Sequence, residues 1–326
     1  MSKTVLVTGG AGFIGSHACV ALQRAGFDTV VVDNLSAGRK ERVINSPLEV
    51  ADVRDADALN TIFAKHNPMA VMHFAALIAV GESVRNPHPT YEVNVGGSLN
   101  VLKAMQAHGV KHIVFSSTAA TYGTPEVASI PETAPTTPIN PYGHSKLMVE
   151  RLLADTHTAH GITYAALRYF NAAGATPALG LGYQRPDPTH LIPLALLALT
   201  GARPPLTVFG TDYPTPDGTA IRDYLHVADL ADAHVLALNK LMAGSQPLTL
   251  NLGTSKGLSV HKVLEGIHTL TGTQVPHTLG PRRAGDPPIL VADATAAQTT
   301  LNWTPTRSTL QTILADDWAW HQSLRA

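Results

Sequence analysis

The chain has 326 residues, of which 23 are basic and 24 acidic, for a formal net charge of -1. No global field of that size recruits nucleic acid or an anionic membrane. A single cysteine, Cys19, excludes an internal disulfide framework and fits a reducing compartment.

The amino terminus shows no secretory pattern, and the longest apolar run, Leu191 to Leu199, is broken by Pro193 and too short to cross a bilayer. A cytoplasmic protein is expected. Thr4-Val5-Leu6-Val7-Thr8 reads as a buried strand, Gly9-Gly10-Ala11-Gly12-Phe13-Ile14-Gly15 follows at once, and Ser16 to Ala25 reads as a helix. In such a unit Gly9 permits the tight turn, Gly12 lets backbone approach a pyrophosphate, and Gly15 lets helix and strand pack closely. The helix N-terminus offers free N–H groups and a positive dipole end to phosphates. A second strand, Thr29 to Val32, ends at Asp33, 18 residues beyond Gly15, where a carboxylate can hold a ribose 2′-OH. Asp33 would repel a 2′-phosphate and so favours NAD over NADP, with Arg39 nearby as a counterweight. Taken alone, the loop also reads as a glycine-rich turn without a ligand.

Further strands are expected at Leu48–Ala51, Ala70–Phe74, His112–Ser116 and Ile162–Tyr169, with helices at Asp55–His66, Tyr91–His108 and Tyr142–His160. This alternation predicts an α/β fold, a doubly wound parallel Rossmann-like sheet over residues 1–170. Gly9, Asp33, Asp52, Phe74, Ser116 and Tyr169 fall at the carboxyl ends of its strands, where such sheets bind ligands. After about Asn171, Pro177, Pro186, Pro188, Pro193, Pro204, Pro205, Pro214 and Pro216 break the alternation. A smaller, irregular α/β domain is expected over 171–326, with some segments returning to the first.

Tyr142-Gly143-His144-Ser145-Lys146 places a phenol and an ammonium four residues apart, on one helical face if a helix begins after Pro141. A free tyrosine titrates near 10, and lowering that by roughly three units takes on the order of 4 kcal/mol. One surface lysine cannot supply this, so the pair calls for a second cation, such as an oxidised nicotinamide. By itself the spacing also occurs as an ordinary solvated pair. Ser116-Ser117-Thr118 closes a strand, and a hydroxyl there could hydrogen-bond a reacting oxygen or simply cap local backbone. His157 and His160 lie three apart without a third ligand, so no metal site is expected.

These segments, with Arg168-Tyr169-Phe170-Asn171, resemble the extended short-chain dehydrogenase/reductases. His73-Phe74-Ala75-Ala76, Val80 to Val84, Phe115 to Gly123, Pro141 to Glu150, Asp217 to Tyr224 and Arg282-Arg283-Ala284-Gly285-Asp286 are more closely similar to the UDP-glucose 4-epimerase family, over essentially the full length. The resemblance implies a tightly bound NAD. It assigns Gly9, Gly12, Phe13, Ile14 and Gly15 to the pyrophosphate loop, Asp33 and Asn34 to the adenine ribose, and Asp52 and Val53 to the adenine. Phe74, Ala75, Ala76, Asn94, Ser116 and Tyr169 would line the cofactor cleft. Tyr142 would be the base, Lys146 its tuning partner on the nicotinamide ribose, and Thr118 the hydroxyl at the reacting oxygen. Phe170, Asn171, His190, Leu191, Thr207, Val208, Phe209, Arg222, Arg283 and Asp286 would hold the uridine diphosphate of a UDP-sugar, and Leu290 would gate space for a 2-N-acetyl group.

Ile78, where some relatives have lysine, and His190, in place of an asparagine, depart from the family pattern. Nucleotide-sugar 4,6-dehydratases share the cofactor site but carry Asp-Glu after the threonine, whereas Ala119-Ala120 stand here. Two methyls cannot move the protons an elimination needs, so the implied activity is epimerisation. A non-catalytic NAD-binding regulator would be expected to lack Tyr142 or Lys146. The resemblance also implies a homodimer formed through the helices near 91–108 and 142–160.

Overall fold

A computed structural model describes residues 3–185, 187–283 and 286–325. Pro186, Ala284 and Gly285 lie outside the described residues. The strands in chain order are β1 (Thr4–Thr8), β2 (Asp28–Asp33), β3 (Leu48–Val50), β4 (Ala70–His73), β5 (His112–Thr118), β6 (Thr163–Tyr169), β7 (Asn171–Ala173), β8 (Leu206–Phe209), β9 (Ile221–His226), β10 (Leu248–Leu252), β11 (Gly257–Ser259), β12 (His277–Gly280) and β13 (Ile289–Leu290). The helices are α1 (Phe13–Arg24), α2 (Ala56–His66), α3 (Val80–Arg85), α4 (Pro87–Tyr91), α5 (Gly97–Ala107), α6 (Pro141–His160), α7 (Leu191–Leu199), α8 (Val227–Met242), α9 (Val260–Thr271), α10 (Thr295–Leu301) and α11 (Leu310–Ser323).

The main sheet has seven parallel strands in the order β10-β6-β5-β4-β1-β2-β3. Side chains alternate between its two faces, as strand geometry requires. Val5 and Val7 join a core with α1 and α8, including Cys19, Leu22, Leu230 and Leu238. Leu6 points the other way, into a core with Phe63 of α2, Met105 of α5 and Leu153 of α6. Both faces are therefore covered, which is why these strands read as continuous apolar runs. Burying a side chain such as Leu6 contributes about 1.5–3 kcal/mol. Cys19 belongs to this packing, and burial pushes its thiol up to about 12, far from nucleophilic use.

Strand order reverses between β1 and β4, since β2 continues on one side of β1 and β4 on the other. A crevice opens beyond the carboxyl ends of strands at such a switch point. Gly9 leaves β1 there, and Phe74 leaves β4.

Three local features differ from the expected elements. Helix α1 begins at Phe13 instead of Ser16, because Gly12, not a polar residue, occupies the N-cap. The helix expected at Tyr91–His108 is interrupted by a π-helical turn over Glu92–Gly96 that brings Asn94 inward. Strand β5 extends through Ser117 and Thr118.

A four-stranded sheet, with β11-β9-β13 in order and β7 beside β9, lies with the β8–β12 pair in the second half. Its core joins Ile192 and Leu196 of α7, Val263 and Ile267 of α9, and Ile313 and Leu314 of α11. Strand β10 and helices α8 and α10, late in the sequence, pack with the first core instead. Among the described residues no helix is long and apolar enough to cross a membrane.

Candidate functional site

At the switch point the glycine loop interlocks with its neighbours. Gly9 has φ +71°, and a Cβ on it would stand 2.7 Å from Ala75 N. A Cβ on Gly15 would come within 2.3 Å of Gly9 O. Gly12 is different: its Cβ would meet only Gly9 O, at 3.1 Å, so that flank is open. No side chain caps α1, and the first-turn N–H groups at Phe13 and Ile14 have no acceptor within the helix. This is a cradle for an anion on backbone donors.

Asp33 ends β2 nearby. Its carboxylate accepts Ala11 N–H at 3.1 Å and Leu35 N–H at 2.8 Å. Burial raises its pKa, and those two N–H groups oppose the rise. Gly38 is part of this arrangement, since its Cβ would lie 2.7 Å from Asp33 Oδ1. Asn34 Nδ2 donates to Asp52 Oδ2 at 2.8 Å, and Arg54 holds the Asp52 carboxyl well below the usual range. Val53 is buried against Gly97. Phe74, Ala75 and Ala76 continue β4 half-buried along the crevice, with Phe74 N–H bonded to Thr8 O at 3.0 Å. Asn94 spends its amide on the protein: Nδ2 donates to Leu77 O and Ser145 Oγ, and Oδ1 accepts Leu77 N–H. It thereby ties the segment after β4 to α6.

Helix α6 starts where Asn140 accepts Gly143 N–H at 2.9 Å and Pro141 takes the first helical position. Tyr142 and Lys146 then share a face turned toward β5. Lys146 is buried, not at the surface as a solvated pair would be; Nζ donates to Ser116 O at 2.8 Å and lies 4.8 Å from the Phe115 ring centre. Burial pulls the ammonium down to about 7, and Glu150 opposes that pull. Burial raises the Tyr142 phenol, while a hydrogen bond with the Thr118 side chain lowers it. Without a further cation, then, the phenol is not a base at neutral pH. Thr118 also accepts Ala120 N–H at 3.1 Å, so capping and contact with Tyr142 coexist in one hydroxyl. Gly143 permits the approach, since a Cβ there would stand 2.5 Å from Ala120 O. Ser116 and Tyr169 hydrogen-bond through their hydroxyls.

A cleft of about 1020 Å³, partly open to solvent, runs from the start of α1 into the second half of the chain. Phe13 forms one end of its lining, and Asn171, His190 and Leu191 belong to it. Thr207, Val208 and Phe209 of β8, with Arg222, Arg283 and Asp286, line it as well. Arg222 pairs with Asp286 and donates to Ile221 O at 2.8 Å, and the Arg283 guanidinium stacks 4.1 Å from the Phe209 ring centre. Phe170 is half-buried and does not line this cleft. Leu290 lies outside the lining too, though β13 puts it in register with Arg222.

The cleft also contains residues that sequence reasoning missed. Tyr183 stands edge-on between the rings of Phe13, at 5.6 Å, and His190, at 5.1 Å, and its buried hydroxyl has no hydrogen-bond partner among the described residues. Trp320 of α11 donates to Tyr183 O at 2.9 Å. Asp317, one helical turn before His321, lines the cleft floor. Neither sits in a local pattern that would single it out. Among the described residues no group of three or more potential ligands could hold a metal ion.

Residues 5–253 match the sequence profile of the NAD dependent epimerase/dehydratase family. The chain belongs to this family. NAD is the family's cofactor, and the glycine cradle with Asp33 fits it. The UDP-glucose 4-epimerase of Azospirillum brasilense is 51% identical, covering 99% of this chain and 93% of its own. That of Lacticaseibacillus casei is 43% identical over 98% and 97%. The crystal structure of UDP-glucose 4-epimerase from Brucella ovis in complex with NAD superposes with a TM-score of 0.95 at 46% identity, covering 97% of each chain. The Bifidobacterium longum enzyme, in complex with NAD+ and UDP, gives 0.92 at 40%, covering 98% of each.

Proposed function

We propose that this family member interconverts UDP-glucose and UDP-galactose at carbon 4 of the sugar. The observation that carries the reading is the seating of α6 on β5, where Tyr142 meets Thr118 and only Ala119 and Ala120 follow. The glycine loop takes the pyrophosphate of NAD on backbone N–H groups, with Asp33 on the adenine ribose. Arg222 and Arg283 grip the diphosphate of the substrate, for which planar guanidinium forks are well suited.

Tyr142 takes the proton of the sugar 4-OH, and Thr118 hydrogen-bonds the same oxygen. NAD, when bound, supplies the group that accepts hydride from carbon 4 and returns it to the opposite face, and its positive ring is the second cation that Tyr142 requires. Lys146 holds its proton next to the phenolate and so lowers the cost of forming it. The cleft holds the nucleotide firmly and the 4-keto sugar loosely, so that the sugar can turn over within it. Ala119 and Ala120 offer no group to remove a proton from carbon 5 or to protonate a leaving hydroxyl, which favours epimerisation over dehydration.

Two copies would pair through α5 and α6, where Leu99 and Met148 are exposed, and the enzyme would work in the cytoplasm. Incubating the pure protein with UDP-galactose and no added reductant tests the activity: UDP-glucose should accumulate to equilibrium. Its absence, with or without supplied NAD, would sink the reading.

A further inference from the structure

Helix α6 carries a third charged side chain on the face that holds Tyr142 and Lys146. Glu150, one turn beyond Lys146, is buried, and the reaction as derived makes no use of it. Its Oε1 accepts Arg168 Nε–H at 2.9 Å, its Oε2 accepts Arg168 Nη2–H at 2.5 Å, and the Ser117 hydroxyl also donates to it. Arg168 passes the connection on. Its Nη1 donates to the Tyr122 hydroxyl at 2.9 Å, and that hydroxyl donates to Asn251 Oδ1 at 2.8 Å. All five residues are buried.

A buried ion pair gives little net stability compared with apolar side chains of the same volume. What it does provide is a fixed position and a fixed charge. Position comes from the pattern along β5, where Ser116, Ser117 and Thr118 in succession engage Lys146, Glu150 and Tyr142. Ser117 stands between the two strand positions that place the ammonium and the phenol, and through it Glu150 pins the helix. As for charge, Glu150 acts on Lys146 from its own helix and Lys146 acts on His73 of β4, while Arg168 and Tyr169 of β6 bond to Glu150 and Ser116. His73 is held neutral by burial, down to about 3, as is His234 of α8, down to about 4, beside Tyr169. Among these groups Glu150 is the one that acts to keep the lysine protonated.

We propose that Glu150 is a positioning residue for the reaction, fixing α6 in register on β5 and supplying the negative charge that keeps Lys146 charged beside the reacting tyrosine. This rests on the epimerase reading of Tyr142 and Lys146. Removing the Glu150 charge makes it easier for Lys146 to lose its proton, so activity fails at a lower pH on the alkaline side.

The test is the pH profile of kcat for NAD-loaded wild type, Glu150→Gln and Glu150→Gln/Arg168→Met. Glutamine alone leaves Arg168 buried and unpaired, whereas the double variant removes both charges and should recover thermal stability. In Glu150→Gln the alkaline limb should move down by on the order of one pH unit, and in the double variant by less, because loss of the Arg168 cation favours the Lys146 ammonium. On that limb, turnover then falls about tenfold below wild type, while the rates approach each other at lower pH. A Glu150→Gln enzyme that folds, keeps NAD and shows an unmoved limb overturns the proposal, whatever its absolute rate. Wild type without epimerase activity overturns the reading on which it rests.

Discussion

Asp317 Oδ2 accepts the Gly174 N–H at 2.9 Å across 143 residues of sequence. Gly174 follows β7, so this bond anchors to α11 the strand that carries Asn171. The neighbouring Asp316 contacts His226 Nε2 at 3.1 Å, and the His226 ring fills the space where a Gly174 side chain would lie. Adjacent acids on α11 thus hold the ends of β7 and β9, the strands bearing Asn171 and Arg222.

Asp317 should make stability depend on pH. Burial, with Asp316 adding to it, raises its carboxyl to about 7. Below the ordinary carboxylate pKa, about 4, the group is protonated folded or unfolded and costs nothing. Between about pH 4 and 7 the folded state binds the extra proton, so stability falls as pH rises and levels off above 7. Asp317→Asn removes this slope. Denaturant midpoints at pH 5 and 8 should show the variant gaining on wild type at pH 8; a difference independent of pH would refute the assignment.

Tyr142→Phe should leave NAD bound while turnover drops by roughly 10²–10⁴-fold, the usual contribution of a positioned acid or base. Steady-state rates with a count of released NAD check this, and unchanged turnover would remove Tyr142 from its role.

Two glycines of the loop should respond differently to alanine. Gly15→Ala drives a Cβ to 2.3 Å from Gly9 O, a backbone atom that cannot swing away. It should destabilise by about 1–3 kcal/mol and empty the cofactor site. Gly12→Ala meets a single atom at 3.1 Å and should largely spare thermal stability while weakening NAD retention. Equal losses in melting temperature would contradict this division.

Arg222→Lys keeps the charge and loses the fork. The Arg222–Asp286 pair would be weakened along with the grip on diphosphate, so KM for UDP-glucose should rise about 10–100-fold, the worth of one charge-assisted bond. kcat should change much less. A loss confined to kcat would place Arg222 elsewhere in the reaction.

Leu290 pairs in register with Arg222 and is half-buried. If it borders the sugar, Leu290→Ser should raise kcat/KM for UDP-GlcNAc relative to UDP-glucose. An unchanged ratio shows that it gates nothing.

Much of the first half was legible because its signals are local. Short continuous apolar runs, glycine spacing and Asn140-Pro141 each act within a few residues. The π-turn at Glu92–Gly96 has no such signature, since it exists to let Asn94 reach both Leu77 and Ser145. Lys146 reads as a solvated partner of Tyr142 until β5 is packed against α6, and that packing turns it into a buried ammonium bonded to Ser116 O. Leu248–Leu252 is not among the strands expected from sequence, and its place beside β6 at the sheet edge depends on the whole winding of the chain. Tyr183 and Asp317 carry no periodic mark at all, and both enter the cleft only because α11 packs beneath it.

The sequence by itself determined the alternating sheet, the glycine loop with Asp33 at the end of the next strand, and the tyrosine and lysine on one face of a helix. Backbone sterics and hydrophobic period set such features over short stretches. Only the tertiary structure decided which groups are buried and what they face: Lys146 under Glu150, Arg222 against Asp286, Asp317 against Gly174. Charge and proton affinity depend on the dielectric and the partners around a group, and those come from segments more than a hundred residues apart as readily as from one turn of helix.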